Sequence, residues 1–210
     1  MPLADYAFRV IDKVRLKLGV DNAKGFVADF SLRGSDANGA VKALPGKLAR
    51  QFSEKTGRGA DKWLHYLPIY EAHFDRFRET DLRMLEIGVF NGGSLELWRG
   101  YFGAKATIFG IDIDQRCAEL FDPPNQVRIG SQADCKFLRS VVHEMGGVDL
   151  VIDDGSHIAE HQRQSFDCLF PLLNDGGLYV IEDLHTSYWP GAYQGGYRRR
   201  GTAIEFVKLL

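Results

Sequence analysis

Residues 4–82 and residues 83–210 show different hydrophobic patterns. In the first part, apolar residues recur three and four positions apart, which predicts amphipathic helices. The predicted helices cover residues 4–19, 41–52 and 63–77. The third helix accommodates Pro68 in its first turn. Its apolar face consists of Leu67, Tyr70, Phe74 and Phe77. The polar segment before it, SEKTGRGADK, predicts a loop.

From residue 83 onwards, short apolar runs alternate with segments that are long enough to form helices. The runs are RMLEIGV, ATIFGIDI, QVRIG, VDLVIDD and GLYVIEDL. This alternation predicts an α/β fold with a doubly wound, mostly parallel sheet that is buried on both faces. We assign residues 1–60 to a small helical N-terminal appendage or cap and residues 61–210 to the core. Only GTAIEFVKLL follows the last glycine-rich loop, so the C-terminal end of the sheet is expected to be incomplete.

Composition excludes several classes of protein. A chain of 210 residues with 45% hydrophobic residues can bury one good core. Its net charge of −2 gives no electrostatic footprint for nucleic acid. No apolar stretch approaches the ~20 residues of a membrane span, and the charged N-terminus does not resemble a signal peptide. The three cysteines are widely spaced and suggest neither a disulfide framework nor a thiolate zinc site, so a cytoplasmic setting is expected.

Ligands of doubly wound sheets bind beyond the carboxyl ends of the strands, and a glycine-rich loop stands there after the first strand. In LEIGVFNGGS, glycines allow a tight turn and a close approach to a ligand. Phe90 occupies the place of the second glycine of a dinucleotide fingerprint, which weakens that interpretation. Glu86 suits a cationic ligand better than a diphosphate. These features favour S-adenosylmethionine, which carries a sulfonium and an ammonium group.

Polar residues at the other strand ends complete the predicted donor site. Asp112 is placed to accept hydrogen bonds from the ribose diol, and Gln132 and Asp134 are placed to reach the adenine edge. The alternative is that these are ordinary strand-end acids that meet helix N-termini. The predicted donor-binding residues are Glu86, Gly88, Asn91, Gly92, Ser94, Asp112, Gln132, Asp134 and Asp153.

Three acids at the ends of the last two strands indicate a metal site. Asp154 follows one strand, and Glu182 and Asp183 follow the next. Carboxylates that converge in a partly buried crevice require a compensating cation, and an all-oxygen ligand set favours Mg²⁺ over Zn²⁺. The alternative is that one acid caps a helix while another is protonated or paired.

His157 is the candidate general base, because it stands three residues after Asp154. A hydroxyl near a divalent ion is acidified, and a neutral imidazole within reach takes its proton. Two alternatives remain. The histidine caps a helix, or His157, Glu160 and His161 form the H-x-x-E-H signature of a zinc peptidase. The position of His157 directly after a strand end disfavours the zinc site, which needs both histidines on one helix face.

The chain resembles the metal-dependent sugar O-methyltransferases of macrolide biosynthesis, of the mycinamicin 2''-O-methyltransferase type, and related rhamnosyl O-methyltransferases. The resemblance covers about residues 62–192. It is carried by HYLPIYEAHF, LEIGVFNGGSLELW, GIDID, VDLVIDDGSH and GGLYVIEDLHTSYWPG. It implies a Rossmann-like class I methyltransferase fold that uses S-adenosylmethionine and Mg²⁺. Asp154, Glu182 and Asp183 match the metal ligands, and His157 matches the catalytic base.

The resemblance also implies the acceptor. We expect a hydroxyl of a sugar or of a macrolide-like glycoside, with Tyr188 and Trp189 flanking its pocket. The same aromatic residues suit a packed lid equally well. Two other functions stay open, a class I methyltransferase with a different acceptor and a donor-binding module without catalysis. Homo-oligomerisation is left open by the sequence.

Overall fold

A sheet of five parallel strands forms the centre of the computed structural model, which describes residues 44–120 and 126–210. The strands are β1 (Arg83–Ile87), β2 (Thr107–Asp112), β3 (Gln126–Ile129), β4 (Val148–Asp153) and β5 (Leu173–Ile181). Their order across the sheet is β3-β2-β1-β4-β5, and every neighbouring pair is parallel. Each strand arises from one predicted apolar run. The predicted α/β fold is therefore confirmed.

Six α-helices accompany the strands within the described residues. They are α1 (Lys47–Glu54), α2 (Tyr66–Phe74), α3 (Gly93–Phe102), α4 (Cys135–Met145), α5 (Ala159–Leu169) and α6 (Ala203–Val207). The helix predicted over residues 4–19 lies outside the described part of the chain. The structure shows α1 from Lys47, whose backbone N–H donates to Glu71 Oε1 at 2.8 Å. The predicted division of the chain at residue 60 stays a prediction.

Helix α2 packs as its apolar pattern predicts. Leu67, Tyr70 and Phe74 are buried, whereas Phe77 lies in a half-buried 3₁₀ turn after the helix. The rings of Tyr70 and Phe74 lie with their centroids 5.5 Å and 5.8 Å from that of Trp98 on α3. Buried aromatic side chains contribute large apolar areas and specific ring geometry. This ring cluster fixes α2, and with it the segment just before it, against α3 near the carboxyl end of β1.

Helices α4 and α5 cover the opposite part of the sheet and correct one expectation. Cys135 and Cys168 form a disulfide, although the wide cysteine spacing predicted none. Cys135 begins α4 and Cys168 lies near the end of α5. These helices pack side by side, which brings the two Cα atoms to 5.7 Å despite 33 residues of sequence separation. Cys117 is a buried free thiol.

The chain continues after β5 in short helical turns. Two 3₁₀ helices, Leu184–Tyr188 and Gly191–Tyr193, precede α6. Among the described residues, no strand follows β5. In the same residues, no helix has both the length and the apolar composition required to cross a bilayer.

Candidate active site at the carboxyl ends of the strands

The loop after β1 is shaped by close backbone contacts. Gly88 has φ +94°, and a Cβ at this position would lie 2.1 Å from the carbonyl oxygen of Asp154. Gly92, with φ +80°, ends the loop as the N-cap of α3. Asn91 Oδ1 accepts a hydrogen bond from the backbone N–H of Gly93 at 2.9 Å. The predicted donor loop is therefore a tight turn that only glycine permits at its first position.

Glu86 lies beneath this loop and not on its surface. Its side chain is fully buried, and its two carboxylate oxygens accept hydrogen bonds from Ser94 Oγ at 2.7 Å and Trp98 Nε1 at 3.0 Å. Burial raises the pKa of Glu86 above its usual range, and the nearby Lys62 ammonium opposes this shift. The predicted contact of Glu86 with the donor stays a prediction. In the structure its carboxylate joins β1 to the first two turns of α3.

Asp112 connects the end of β2 to the glycine-rich loop. Its Oδ2 accepts from the backbone N–H groups of Val89 at 2.9 Å and Phe90 at 3.0 Å, and its Oδ1 accepts from that of Asp114 at 2.9 Å. A carboxylate has about four lone-pair sites, so acceptor capacity remains for further donors. The side chain is half-buried at the expected strand end.

Asp153 and Gln132 form an internal network. Asp153 is fully buried and accepts hydrogen bonds from Ser165 Oγ at 2.6 Å, Gln132 Nε2 at 3.1 Å and Tyr179 OH at 3.2 Å. Burial raises the pKa of Asp153. Gln132 Oε1 accepts from the backbone N–H of Ser156 at 2.7 Å. Both side chains therefore support the loop after β4 from the interior, and their predicted donor contacts stay predictions.

Asp134 has the role of a helix cap in the structure. Its side chain accepts from the backbone N–H groups of Lys136 at 3.0 Å and Phe137 at 3.1 Å, at the start of α4. This is the alternative that the sequence left open for strand-end acids. A contact with an adenine edge stays a prediction for this exposed residue.

Three side chains at the ends of β4 and β5 are placed to hold a metal ion. One ligand atom each from Asp154, His157 and Asp183 lies within 4.8 Å of the others. His157 Nε2 is 3.8 Å from Asp154 Oδ1 and 3.9 Å from Asp183 Oδ2. His157 and Asp183 both adopt left-handed backbone conformations, with φ 55° and 54°. Such conformations are uncommon outside glycine and concentrate at functional sites.

The third predicted metal ligand, Glu182, faces a lysine that the sequence did not single out. Lys62 Nζ lies 2.7 Å from Glu182 Oε1, 2.5 Å from Asp154 Oδ2 and 4.0 Å from Glu86 Oε1. Burial raises the pKa of Glu182 to about 8, and the Lys62 ammonium limits that rise. Burial alone would lower the pKa of Lys62, but attraction by Glu182, Glu86 and Asp154 outweighs it and raises that pKa. The Lys62 ammonium therefore compensates part of the charge of Asp154 and Glu182, and the predicted contact of Glu182 with a metal ion stays a prediction.

Trp63 and Tyr66 hold Asp183 from the same segment of chain. Asp183 Oδ1 accepts from Trp63 Nε1 at 3.1 Å and from Tyr66 OH at 3.2 Å. Its Oδ2 is the atom that faces His157. Oδ1 of Asp183 therefore points towards Trp63 and α2, and Oδ2 points towards the candidate metal group.

The two histidines of the H-x-x-E-H pattern point to different partners. Helix α5 begins at Ala159, so His157 precedes it in a left-handed conformation. His161 Nδ1 lies 3.0 Å from Ser156 Oγ. Among the described residues, the candidate metal group includes His157 and excludes His161. This geometry disfavours the zinc-peptidase interpretation.

A row of rings borders the candidate metal group. His185 lies between two tryptophans, with ring centroids 5.9 Å from Trp63 and 4.9 Å from Trp189. Tyr193 extends the row, 5.5 Å from Trp189. Trp189 and Tyr188, the predicted acceptor residues, are exposed in this loop. The structure therefore places the exposed aromatic face on the side of Asp183.

Comparison with known proteins identifies the domain. Residues 85–184 match a family model described as a methyltransferase domain. This segment is a methyltransferase domain. It runs from β1 to the loop after β5, and so contains the glycine-rich loop and all three residues of the candidate metal group.

Relatives of this chain are named as methyltransferases of sugar-bearing natural products. It is 43% identical over 162 residues to the 8-demethyl-8-alpha-L-rhamnosyl tetracenomycin-C 2'-O-methyltransferase of Streptomyces olivaceus, a match covering 72% of this chain and 42% of the relative. It is 41% identical over 178 residues to the mycinamicin VI 2''-O-methyltransferase of Micromonospora griseorubida, covering 77% and 41%. The resemblance to sugar O-methyltransferases is confirmed.

A solved structure extends this similarity to three dimensions. The MycE methyltransferase of the mycinamycin biosynthetic pathway, in complex with Mg, SAH and mycinamycin VI, is 38% identical to this chain. It superposes with a TM-score of 0.66 over 77% of this chain and 42% of that chain. The chain thus spans less than half the length of these relatives.

Proposed function

We propose that this protein transfers the methyl group of S-adenosylmethionine to a hydroxyl of a sugar or glycosylated small molecule, with Mg²⁺ at the strand ends. The observation that carries the proposal is the convergence of Asp154, His157 and Asp183 within 4.8 Å at the carboxyl ends of β4 and β5. Relatives named as sugar O-methyltransferases support the acceptor class. The MycE structure, which contains Mg and SAH, supports both cofactors.

The residues present fit a magnesium ion. Mg²⁺ takes oxygen ligands at about 2.0–2.1 Å in octahedral geometry, so its ligand atoms lie roughly 2.9 to 4.2 Å apart. The ligand atoms of Asp154, His157 and Asp183 lie within 4.8 Å of one another, and His157 Nε2 is 3.8 Å from Asp154 Oδ1 and 3.9 Å from Asp183 Oδ2, close to this range. Asp154 and Asp183 would hold the ion, and the family resemblance adds Glu182. When bound, Mg²⁺ supplies a Lewis acid that makes a nearby acceptor hydroxyl more acidic.

His157 is the proposed general base. In methyl transfer the acceptor oxygen forms a bond to the methyl carbon, the carbon–sulfur bond breaks, and the hydroxyl proton leaves. His157 Nε2 faces the crevice between Asp154 and Asp183 and would accept this proton. The carbonyl of His157 accepts a hydrogen bond from Thr186 Oγ1 at 3.4 Å, which ties its loop to the turn after β5. General-base catalysis by a positioned imidazole contributes about 10²–10⁴-fold in rate.

The donor is proposed to lie across the loop after β1. Asp112 retains acceptor capacity for the ribose diol, and the backbone of Gly88 permits close approach. Asn91, Gly92 and Ser94 shape the end of the loop and the start of α3. Glu86 lies buried beneath this loop, where Ser94 and Trp98 donate to its carboxylate, and it supports the start of α3.

The acceptor is proposed to use the row of rings for recognition. Trp189 is 46% exposed and lies between His185 and Tyr193 in the row that begins beside Asp183. Aromatic faces are large, rigid and apolar, and they suit the flat apolar face of a sugar ring. Tyr188 is exposed next to it.

Transfer of labelled methyl groups to a panel of glycosides tests the proposal. We expect transfer to a rhamnosyl or macrolide glycoside that EDTA abolishes and added Mg²⁺ restores. A His157→Ala variant should bind S-adenosylhomocysteine normally and lose transfer. Tight S-adenosylhomocysteine binding without transfer to any glycoside would instead identify a donor-binding module. Full activity in EDTA would refute the metal-assisted mechanism.

A further inference from the structure

We propose that Lys62 is a positioning residue for the metal ion. Its ammonium holds the inner oxygens of Asp154 and Glu182, so that the outer oxygen of Asp154 faces the metal group. This inference rests on the metal site of the proposed function and adds to it a residue from outside the methyltransferase domain match, which begins at residue 85.

The two oxygens of Asp154 have different partners. Oδ2 lies 2.5 Å from Lys62 Nζ, whereas Oδ1 lies 3.8 Å from His157 Nε2. The Lys62 side chain is 1% exposed and that of Asp154 is 23% exposed. The ammonium therefore approaches Asp154 from the protein interior, and the metal group lies on the solvent side of the same carboxylate. A rotation of this carboxylate is prevented as long as Lys62 holds Oδ2.

Lys62 acts through the acids and does not touch the substrate. Its side chain has almost no surface, and its ammonium is surrounded by Glu182, Asp154 and Glu86. A buried charge of this kind contributes little net stability, because the cost of desolvation offsets the attraction. Hydrogen bonds to metal-ligating carboxylates set their orientation, and loss of such partners typically costs about 10–100-fold in metal affinity.

One short segment orients all three predicted metal-ligand acids. Lys62 holds Asp154 and Glu182, while Trp63 Nε1 and Tyr66 OH both donate to Asp183 Oδ1. This segment ends in the first residue of α2, the helix whose rings pack on Trp98 of α3. The support of the metal site is therefore anchored in the hydrophobic core.

Metal affinity of Lys62→Met, measured in the full chain, tests the inference. We propose to titrate Mn²⁺ alone and to follow the free ion by electron paramagnetic resonance. The dissociation constant should rise by about 10–100-fold relative to the wild type. An unchanged or tighter affinity would overturn the inference. Lys62 would then compete with the metal ion for the carboxylates and not orient them.

Lys55→Met is the matched control. Lys55 lies in the same polar segment, is 11% exposed and pairs with Glu96 Oε2 at 2.5 Å. Its replacement removes a similar ion pair without touching the strand-end acids. We expect its Mn²⁺ affinity to stay within about twofold of the wild type, a change well below the loss expected for an orienting partner. An equal loss in both variants would show a general effect of loosening the segment, which overturns the specific role of Lys62.

If Lys62→Met does not fold, Lys62→Arg tests the positioning role of Lys62 instead. Arginine keeps the charge that the buried acids require, but its larger planar head cannot reproduce the geometry of an ammonium. We expect Mn²⁺ binding at least about tenfold weaker. Binding as tight as in the wild type would overturn the inference. A wild-type protein that binds no Mn²⁺ would instead refute the metal site itself, so the two failures are distinguishable.

Discussion

Gly88 packs directly against the backbone of Asp154. A Cβ on Gly88 would lie 2.1 Å from the carbonyl oxygen of Asp154 and 2.8 Å from its carbonyl carbon. The glycine-rich loop after β1 and the acidic loop after β4 are therefore in backbone contact. Position 88 therefore requires glycine for two reasons: the positive φ of its own turn and the close backbone of the loop after β4.

Gly88→Ala should destabilise the protein by more than its backbone strain alone. Alanine at φ +94° is strained, and its methyl group would also displace Asp154. Gly191→Ala provides the control, because Gly191 has φ +80° but a methyl group there would meet no atom within 4 Å. We expect the free energy of unfolding in urea to fall by about 1 kcal/mol for the control and by clearly more for Gly88→Ala. Equal losses would contradict the contact with Asp154.

His157→Ala should lower kcat by about 10²–10⁴-fold while leaving the affinity for S-adenosylhomocysteine unchanged. The imidazole faces Asp154 and Asp183, not the predicted donor loop, which is why donor binding should persist. His161→Ala is the control, since His161 contacts Ser156 outside the candidate metal group. Kinetics with a methyl acceptor and calorimetry with S-adenosylhomocysteine separate the two effects. A comparable loss in both variants would revive the two-histidine site.

Trp189→Ala should raise KM for the glycoside with little change in kcat or in donor affinity. The exposed ring lies beyond His185 from the candidate metal group and is proposed to contact the acceptor and not the reacting atoms. Tyr197→Ala removes another exposed ring, 79% exposed, outside this row. Steady-state kinetics should show the KM effect only for Trp189. An effect confined to kcat would place the ring in a lid or in packing and not in acceptor binding.

The free energy of unfolding of the metal-free protein should fall between pH 5 and pH 8, and Glu86 should account for part of this loss. Burial raises the pKa of Glu86 above 4.5 in the folded state. Its stabilising contribution is therefore complete below that value and is lost as pH rises through the folded pKa. Urea unfolding in EDTA at pH 5 and pH 8 should show a smaller decrease for Glu86→Gln. Identical decreases in the two proteins would contradict the assignment.

Thiol titration should distinguish the three cysteines. Burial raises the pKa of the Cys117 thiol to about 12, so it should not react with a disulfide reagent in the native protein at pH 8. In denaturant, one thiol should react before reduction and three afterwards, because Cys135 and Cys168 are bonded. Three reactive thiols without reductant would show that the purified protein holds this pair reduced.

The sheet and the position of the site follow from local pattern. Apolar runs alternating with helix-length segments predict parallel strands, and parallel strands bring their carboxyl ends to one edge. The approach of Asp154 and Asp183 to His157 is a consequence of that rule. The sequence could not show which way each acid points within the edge, and the inward orientation of Glu86 and Asp153 depends on the packing of α3 and α5.

The sequence pattern predicted neither the burial of Lys62 nor the disulfide, for a related reason. In SEKTGRGADK a lysine looks like an ordinary solvated residue, because charged loops are usually exposed. Its burial depends on the ring packing of α2 against α3, which carries the preceding segment over the strand ends. The Cys135–Cys168 pair likewise depends on the neighbouring positions of α4 and α5. Contacts between segments that are distant in sequence produce no hydrophobic periodicity from which they could be predicted.

The strand order sets the distance between the two ends of the candidate site, at Asp112 at the end of β2 and at Asp154 after β4. β1 separates β2 from β4, so Asp112 and Asp154 stand two strand spacings apart, about 9–10 Å. A nucleoside held at Asp112 reaches His157 only through an arm that crosses the end of β1. The strand spacing therefore fixes the separation between the proposed ribose contact at Asp112 and the proposed base at His157.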